Sequence, residues 1–194
     1  MIEFLRLIVS AIFAVFYRVE VINANNVPES GPVLICANHN GIMDMFFIGY
    51  KIKRYVHYMA KEELFKIPLL GYIIKCLGAF PVKRGKGDVS AIKTVFKLLD
   101  EGKIVGIFPE GTRTRGKRKK DIKIKPGAAM IALRSGVDVI PVAVKGNYRL
   151  FSKVKVVFGK PFKIEAEEGK KYRNSELEKI SEGIMKRVYA LLEE

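Results

Sequence analysis

The chain has little cysteine, little histidine, few acidic groups for its basic ones, and no apolar run long enough to span a bilayer. Two cysteines in 194 residues, Cys36 and Cys76, exclude a disulfide framework, and with no C-x-x-C or His/Cys cluster nearby they suggest no structural metal. Both sit in apolar sequence and read as small buried hydrophobes in a reducing cytoplasm. Only two histidines, His39 and His57, are present, so few side chains can serve as a general base near neutral pH. Twenty acidic residues face 35 lysines and arginines, leaving a net charge of +15. A basic chain that is also 49% hydrophobic fits an anionic membrane surface; nucleic acid fits the charge but not the apolar excess. The apolar stretch Leu7–Tyr17 is about half of the roughly 20 residues a spanning helix needs. No small-residue cleavage site follows it, so a secretory signal is not expected. Bracketed by Arg6 and Arg18, it reads as an interfacial helix; docking into the core is the alternative.

Patterning places one α/β domain over 20–194 behind an N-terminal membrane-associating, amphipathic helix over 1–19. Apolar runs at 33–37, 54–60, 77–82, 103–108, 139–144 and 154–158 read as strands, and they alternate with helical segments. That alternation predicts a single domain with a mostly parallel or mixed central sheet flanked by helices. Asp88 is a good N-cap for a helix whose Val89, Ile92, Val95, Phe96 and Leu99 recur at helical spacing, closed by Gly102. A further helix runs from Pro126 to Gly136. Ser175 with Glu178 reads as a capping box for the last one. Pro141 in Val139-Ile140-Pro141-Val142 argues for an edge or irregular strand, serving either as wall of an acyl pocket or as plain core.

Four stretches carry chemistry. Asn38-His39-Asn40-Gly41-Ile42-Met43-Asp44 follows an apolar run and sets a carboxylate five residues after an imidazole. Asp44 can hold one ring nitrogen of His39, fix the tautomer and leave the other nitrogen to take a proton. Phe108-Pro109-Glu110-Gly111-Thr112-Arg113 ends a buried strand. There Thr112 offers a hydroxyl and Arg113 a planar fork suited to a phosphate monoester, while Glu110 can orient that arginine or a polar headgroup. An ordinary turn with a surface ion pair is the other reading. Gly78-Ala79-Phe80-Pro81-Val82-Lys83-Arg84 brings two cations to a strand end, either to share that phosphate or as a solvated face. The tract from Arg113 to Lys125 is a second basic surface, for a membrane or for an acidic partner. His57, among apolar residues, reads as structural.

In order and approximate spacing, NHNGIMD, GAFPVKR, FPEGTR and VIPV resemble the four motifs of the glycerolipid acyltransferases, in particular the bacterial 1-acylglycerol-3-phosphate (lysophosphatidic acid) acyltransferases. The resemblance covers about residues 20–160. The second motif departs from the commoner aromatic/Ile-Asp-Arg form, because Val82-Lys83 stands where an acidic residue often precedes Arg84. The segment ahead of the 33–37 strand has room for about one helix, which is short for the family. The resemblance implies a monotopic enzyme on the cytoplasmic face of the cell membrane that acylates the free sn-2 hydroxyl of 1-acylglycerol-3-phosphate, giving phosphatidic acid. His39 is then the base and Asp44 its partner. Lys61 and the backbone N–H of Gly111 are candidate oxyanion donors. Lys83, Arg84, Glu110, Thr112 and Arg113 bind the acceptor phosphate. The acyl donor is acyl-CoA or acyl carrier protein, used as co-substrate, and no cofactor or metal is required. The rivals are another acceptor such as glycerol-3-phosphate, a hydrolase using the same histidine, and a non-catalytic basic lipid- or nucleic-acid-binding protein.

Overall fold

A computed structural model describes residues 11, 15–83, 88–116 and 121–193. Most of the expected N-terminal helix lies outside these residues, as do Arg84 and the middle of the basic tract; Ala11, Val15 and Phe16 are helical. No helix among the described residues is long and apolar enough to cross a membrane.

Seven strands form one mixed sheet in the order β1-β7-β6-β2-β5-β3-β4. The strands are β1 (Arg18–Ile22), β2 (Val33–Ala37), β3 (Val56–Lys61), β4 (Phe80–Val82), β5 (Ile104–Ile107), β6 (Asp138–Gly146) and β7 (Lys153–Phe158). Strands β2 to β6 are mutually parallel; β7 pairs antiparallel with β6, and β1 runs parallel to β7. The two central strands, β2 and β5, are buried at every residue, as expected of a parallel sheet covered on both faces.

Helix α1 (Asp44–Gly49) covers one face, burying Phe47 and Ile48 against Val33, Ile35, Ile104 and Ile140. Two short helices, α2 (Glu62–Phe65) and α3 (Leu70–Cys76), connect β3 to β4. Helices α4 (Val89–Asp100), α5 (Gly127–Ser135) and α6 (Asn174–Ala190) cover the other face. Asp88 caps α4 as expected: Ala91 N–H donates to it at 3.0 Å, and Lys83 N–H donates to its second oxygen at 2.7 Å. Such a cap stabilises by about 1 kcal/mol. Ala91, Val95 and Leu99 form the buried stripe of α4.

The structure corrects four expectations. β1, over a stretch in which no strand was foreseen, adds an edge strand beside β7. The 77–82 strand shrinks to Phe80–Val82, because Gly78 takes a left-handed φ of +82° that ends α3. The last helix starts at Asn174, and its capping carboxylate is Glu176, which accepts from Arg173 N–H at 2.8 Å. Finally, β6 is interior despite Pro141, which lies in register with Cys36 of β2. The Pro141 carbonyl accepts from Gly159 N–H at 2.8 Å, just past the last residue of β7. The N–H that proline lacks would point the same way, toward the last rung of the β6–β7 ladder and away from β2, so the pairing with β2 keeps all its bonds.

The crossovers position the site. From β2 the chain passes over β5 to reach β3 by way of α1; from β5 it passes over β2 to reach β6 by way of α5, on the opposite face. The two connections diverge at the carboxyl ends of β2 and β5, a topological switch point where open α/β sheets leave a crevice for ligands.

Candidate active site

His39 and Asp44 meet in that crevice. The His39 Nδ1–H donates to Asp44 Oδ2 at 2.8 Å, and the same oxygen accepts from the backbone N–H groups of Asn40 (2.7 Å) and Gly41 (2.8 Å). The other oxygen, Oδ1, accepts from the Tyr148 hydroxyl. Asp44 is fully buried, with 0% exposure, so these donors take the place of water around its charge. With a carboxylate on Nδ1, Nε2 is the nitrogen left to accept a proton. The imidazole stacks on Phe108, centroids 4.1 Å apart and planes at 16°, and Phe108 stacks in turn on Tyr58 at 5.6 Å.

The preceding asparagine extends the sheet beyond its last backbone pair. Asn38 donates to the Val144 carbonyl (2.9 Å) and accepts from Val144 N–H (2.8 Å), as a further strand residue would; Asn40 adds a 3.0 Å bond to the same carbonyl. The histidine loop is therefore held to β6 by side-chain amides.

Glu110 has a different role from the one its motif suggested. It is 2% exposed, and both its oxygens are occupied inside the protein. Oε2 accepts from His39 N–H (2.8 Å) and from the Thr114 hydroxyl (2.8 Å), and Oε1 accepts from the Tyr189 hydroxyl of α6 (2.8 Å). Thr114 N–H donates to the His39 carbonyl at 2.8 Å. Glu110 thus ties the β2 loop, the β5 loop and the C-terminal helix together, and at 2% exposure it is turned inward and not toward a headgroup. Gly111 is corrected likewise: its N–H closes a turn onto the Phe108 carbonyl at 2.9 Å and is not available to an oxyanion, while its φ of +67° suits glycine.

The other candidates lie at the same end of the sheet. Thr112 and Arg113 are exposed beside the dyad loop, Lys61 is the exposed last residue of β3, and Lys83 is exposed after β4. His57 is structural as expected, its Nδ1–H donating to the Gly78 carbonyl at 2.9 Å. Cys36 is buried and its thiol is pushed far up by desolvation, which suits the reading as an inert core group. Thr114, Tyr58, Tyr148 and Tyr189 were not foreseen, and Phe108 was seen only as the first residue of its motif. None of their contacts carries a local sequence signal, because each reaches the dyad from another element.

An apolar cavity of about 90 Å³, lined by Met45, Phe46, Tyr50, Tyr58, Ile74 and Leu77 among others, opens one aromatic ring away from the imidazole. The Tyr58 ring fits because residue 106, opposite it on β5, is glycine; a Cβ there would collide with the ring. The Tyr58 hydroxyl is buried and has no hydrogen-bond partner among the described residues. Burial first, and the Asp44 charge second, push its ionisation well above the ordinary value. The sign follows: the folded phenol keeps its proton where the unfolded one loses it, above about pH 10. This part of the stability is full below that pH and is lost as pH rises further. Tyr58→Phe removes an unpaired buried hydroxyl and is expected to stabilise by about 1 kcal/mol at pH 7. It should also flatten the alkaline fall in thermal stability, as measured by melts between about pH 8 and pH 11.

An imidazole–carboxylate dyad lies at a switch point, walled by apolar rings and rimmed by exposed cations, an arrangement suited to general-base chemistry. A family model described as Acyltransferase matches residues 18–145, and the chain belongs to that family. It is 41% identical over 149 residues to the 1-acyl-sn-glycerol-3-phosphate acyltransferase of Bacillus subtilis, covering 74% of this chain and 73% of that one. It is 30% identical over 139 residues to the Borreliella burgdorferi protein of the same name, covering 70% of this chain but only 54% of the relative. The crystal structure of the 1-acyl-sn-glycerophosphate (LPA) acyltransferase PlsC from Thermotoga maritima superposes with a TM-score of 0.70 at 27% identity, over 96% of this chain and 77% of that one.

Proposed function

We propose that the protein transfers a fatty acyl group from a thioester carrier, acyl-CoA or acyl carrier protein, to the free sn-2 hydroxyl of 1-acylglycerol-3-phosphate, giving phosphatidic acid. The observation that carries this reading is the buried His39–Asp44 pair at the crevice of a chain belonging to the acyltransferase family. His39 Nε2 takes the hydroxyl proton as the oxygen attacks the thioester carbonyl, and Asp44 stabilises the imidazolium. The tetrahedral intermediate collapses, the C–S bond breaks, and the thiolate takes the proton back from His39. No acyl-enzyme is needed. Lys61 is the remaining candidate for the oxyanion. Lys83, Arg84, Thr112 and Arg113 are assigned to the acceptor phosphate, and the apolar cavity beside Tyr58 to an acyl chain.

The reaction is assigned to the surface of an anionic bilayer. The end of the sheet that holds the dyad also carries exposed Ile42, Ile67, Leu69, Leu150 and Phe151, and exposed Lys61, Lys66, Lys83, Arg113 and Arg115. β1 and β7 start at that end, so exposed Val15 and Phe16 arrive there too. Apolar groups interleaved with cations match an interface of acyl chains and anionic headgroups. The anionic cytoplasmic leaflet fits this charge, and the free Cys36 and Cys76 fit a reducing compartment.

The test is acyl transfer on anionic vesicles, with lysophosphatidic acid and glycerol-3-phosphate competing and each carrier offered in turn. Preference for lysophosphatidic acid is expected; preference for the acceptor without a first acyl chain would overturn the acceptor assignment. In the same assay Arg113→Ala should raise the apparent KM for the phosphorylated acceptor about tenfold with kcat little changed. A rise in KM for the thioester instead would reassign that arginine.

A further inference from the structure

We propose that Tyr148, in the loop after β6 and outside every motif stretch, is a positioning residue that locks the carboxylate of Asp44 in the plane the His39 imidazole needs. The proposal rests on the assignment of His39 as base. A carboxylate held through one oxygen can swing about its last torsion, which is a broad and soft one. Here Oδ2 receives His39 and two backbone N–H groups, while the Tyr148 hydroxyl fastens Oδ1 from the far side. Held at both ends, the carboxylate presents Oδ2 to Nδ1 in one orientation.

The phenol is itself built in. Its ring meets Phe47 edge-on, with centroids 5.2 Å apart, and the Arg115 guanidinium lies 5.8 Å from the ring centre. Arg115 also donates to the Asn147 side chain at 3.0 Å, and the Ser152 hydroxyl donates to the Arg149 carbonyl at 2.6 Å, closing the loop on itself. On its remaining side the ring rests on Gly41 of the histidine loop, where a Cβ would come within 2.9 Å of two ring carbons. This explains the glycine in NHNGIMD: residue 41 has no side chain because Tyr148 occupies the space. Burial, reinforced by the Asp44 charge, pushes the phenol's ionisation far up, so it stays a donor through neutral pH.

Two variants test the role by different routes. Tyr148→Phe keeps the ring and removes the O–H, leaving Oδ1 buried without its partner. The expected result is a kcat about tenfold lower with both KM values little changed. The titratable and charged groups around the dyad are Asp44, Glu110, Tyr58, Tyr148 and Arg115. Released at Oδ1, the carboxylate spends less time in line with Nδ1 and stabilises the imidazolium less. The acid limb of kcat/KM therefore moves to lower pH, in the same direction as expected for Asp44→Asn but by less. The second variant, Gly41→Ala, pushes the ring aside and should lower kcat similarly in the parent. In a Tyr148→Ala background, where nothing fills the space, it should add little. Transfer by Tyr148→Phe at the parental rate with an unmoved acid limb would overturn the proposal. So would a loss of activity matched by a loss of folded protein with the limb in place. Absence of transfer by the parent protein itself would instead count against the base assignment beneath it.

Discussion

His39→Ala is expected to reduce acyl transfer by about 10²–10⁴ or more while the protein stays folded. Among the described residues the ring supplies the one nitrogen at the crevice with a carboxylate behind it, and it is the group assigned to take the acceptor's proton. The fold should survive because His39 contributes to structure mainly through its backbone: its N–H reaches Glu110 and its carbonyl accepts from Thr114, and alanine retains both. Asp44 would still have Asn40, Gly41 and Tyr148 as donors. Asp44→Asn isolates charge from geometry. An amide oxygen in the Oδ2 position can keep the three hydrogen bonds there, but it cannot stabilise the imidazolium, so turnover should fall into a similar range with a nearly unchanged melting curve. Initial rates on vesicles beside circular dichroism read both variants. His39→Ala within tenfold of the parent rate would remove the histidine from the chemistry.

Glu110→Ala should have the largest effect on stability. It removes one acceptor from three donors at once, on His39, Thr114 and Tyr189; the Thr114 hydroxyl has another in reach, the His39 carbonyl at 3.1 Å. An unsatisfied buried group costs about 1–3 kcal/mol, and the three share one partner, so the total falls short of additive at about 3–5 kcal/mol. For a chain of this size each kcal/mol is worth about 2–4 °C, giving a melting temperature roughly 10 °C lower. Activity should fall with it, because the His39 loop loses its tie to β5. A glutamate that bound substrate would behave differently: its removal would raise the acceptor KM and leave the melt alone. Differential scanning fluorimetry beside acceptor kinetics distinguishes the two.

What the sequence made legible was local. The His39–Asp44 pairing, the place of the dyad just past a strand, the Asp88 cap and the burial of β2 and β5 follow from spacing and patterning within a few residues. What it hid depends on register between distant segments. Glu110 looked like a ligand group because nothing nearby in sequence shows that Thr114 and, 79 residues on, Tyr189 would surround it. Pro141 looked like an edge marker because the rule holds where a neighbouring strand needs the missing N–H, and here that N–H would face the end of β7 and not β2. Tyr148, and the stacking of Phe108 on His39, were invisible for the same reason: an aromatic side chain carries no local sign of which face it will pack on. Gly111 shows the converse, a motif residue whose backbone donor is committed to its own turn.

The glycine at 106 and the ring at 58 fill one volume between them, which constrains the order in which this sequence can change. A chain that first acquires a side chain at 106 collides with Tyr58 beneath the aromatic stack and loses its central strand pairing. A chain that first trims residue 58 opens room on β5, and a second step at 106 can then follow. Only the second order passes through a folded intermediate. Homologous chains that diverged at these two positions should therefore carry paired exchanges, with a bulkier 106 alongside a smaller 58.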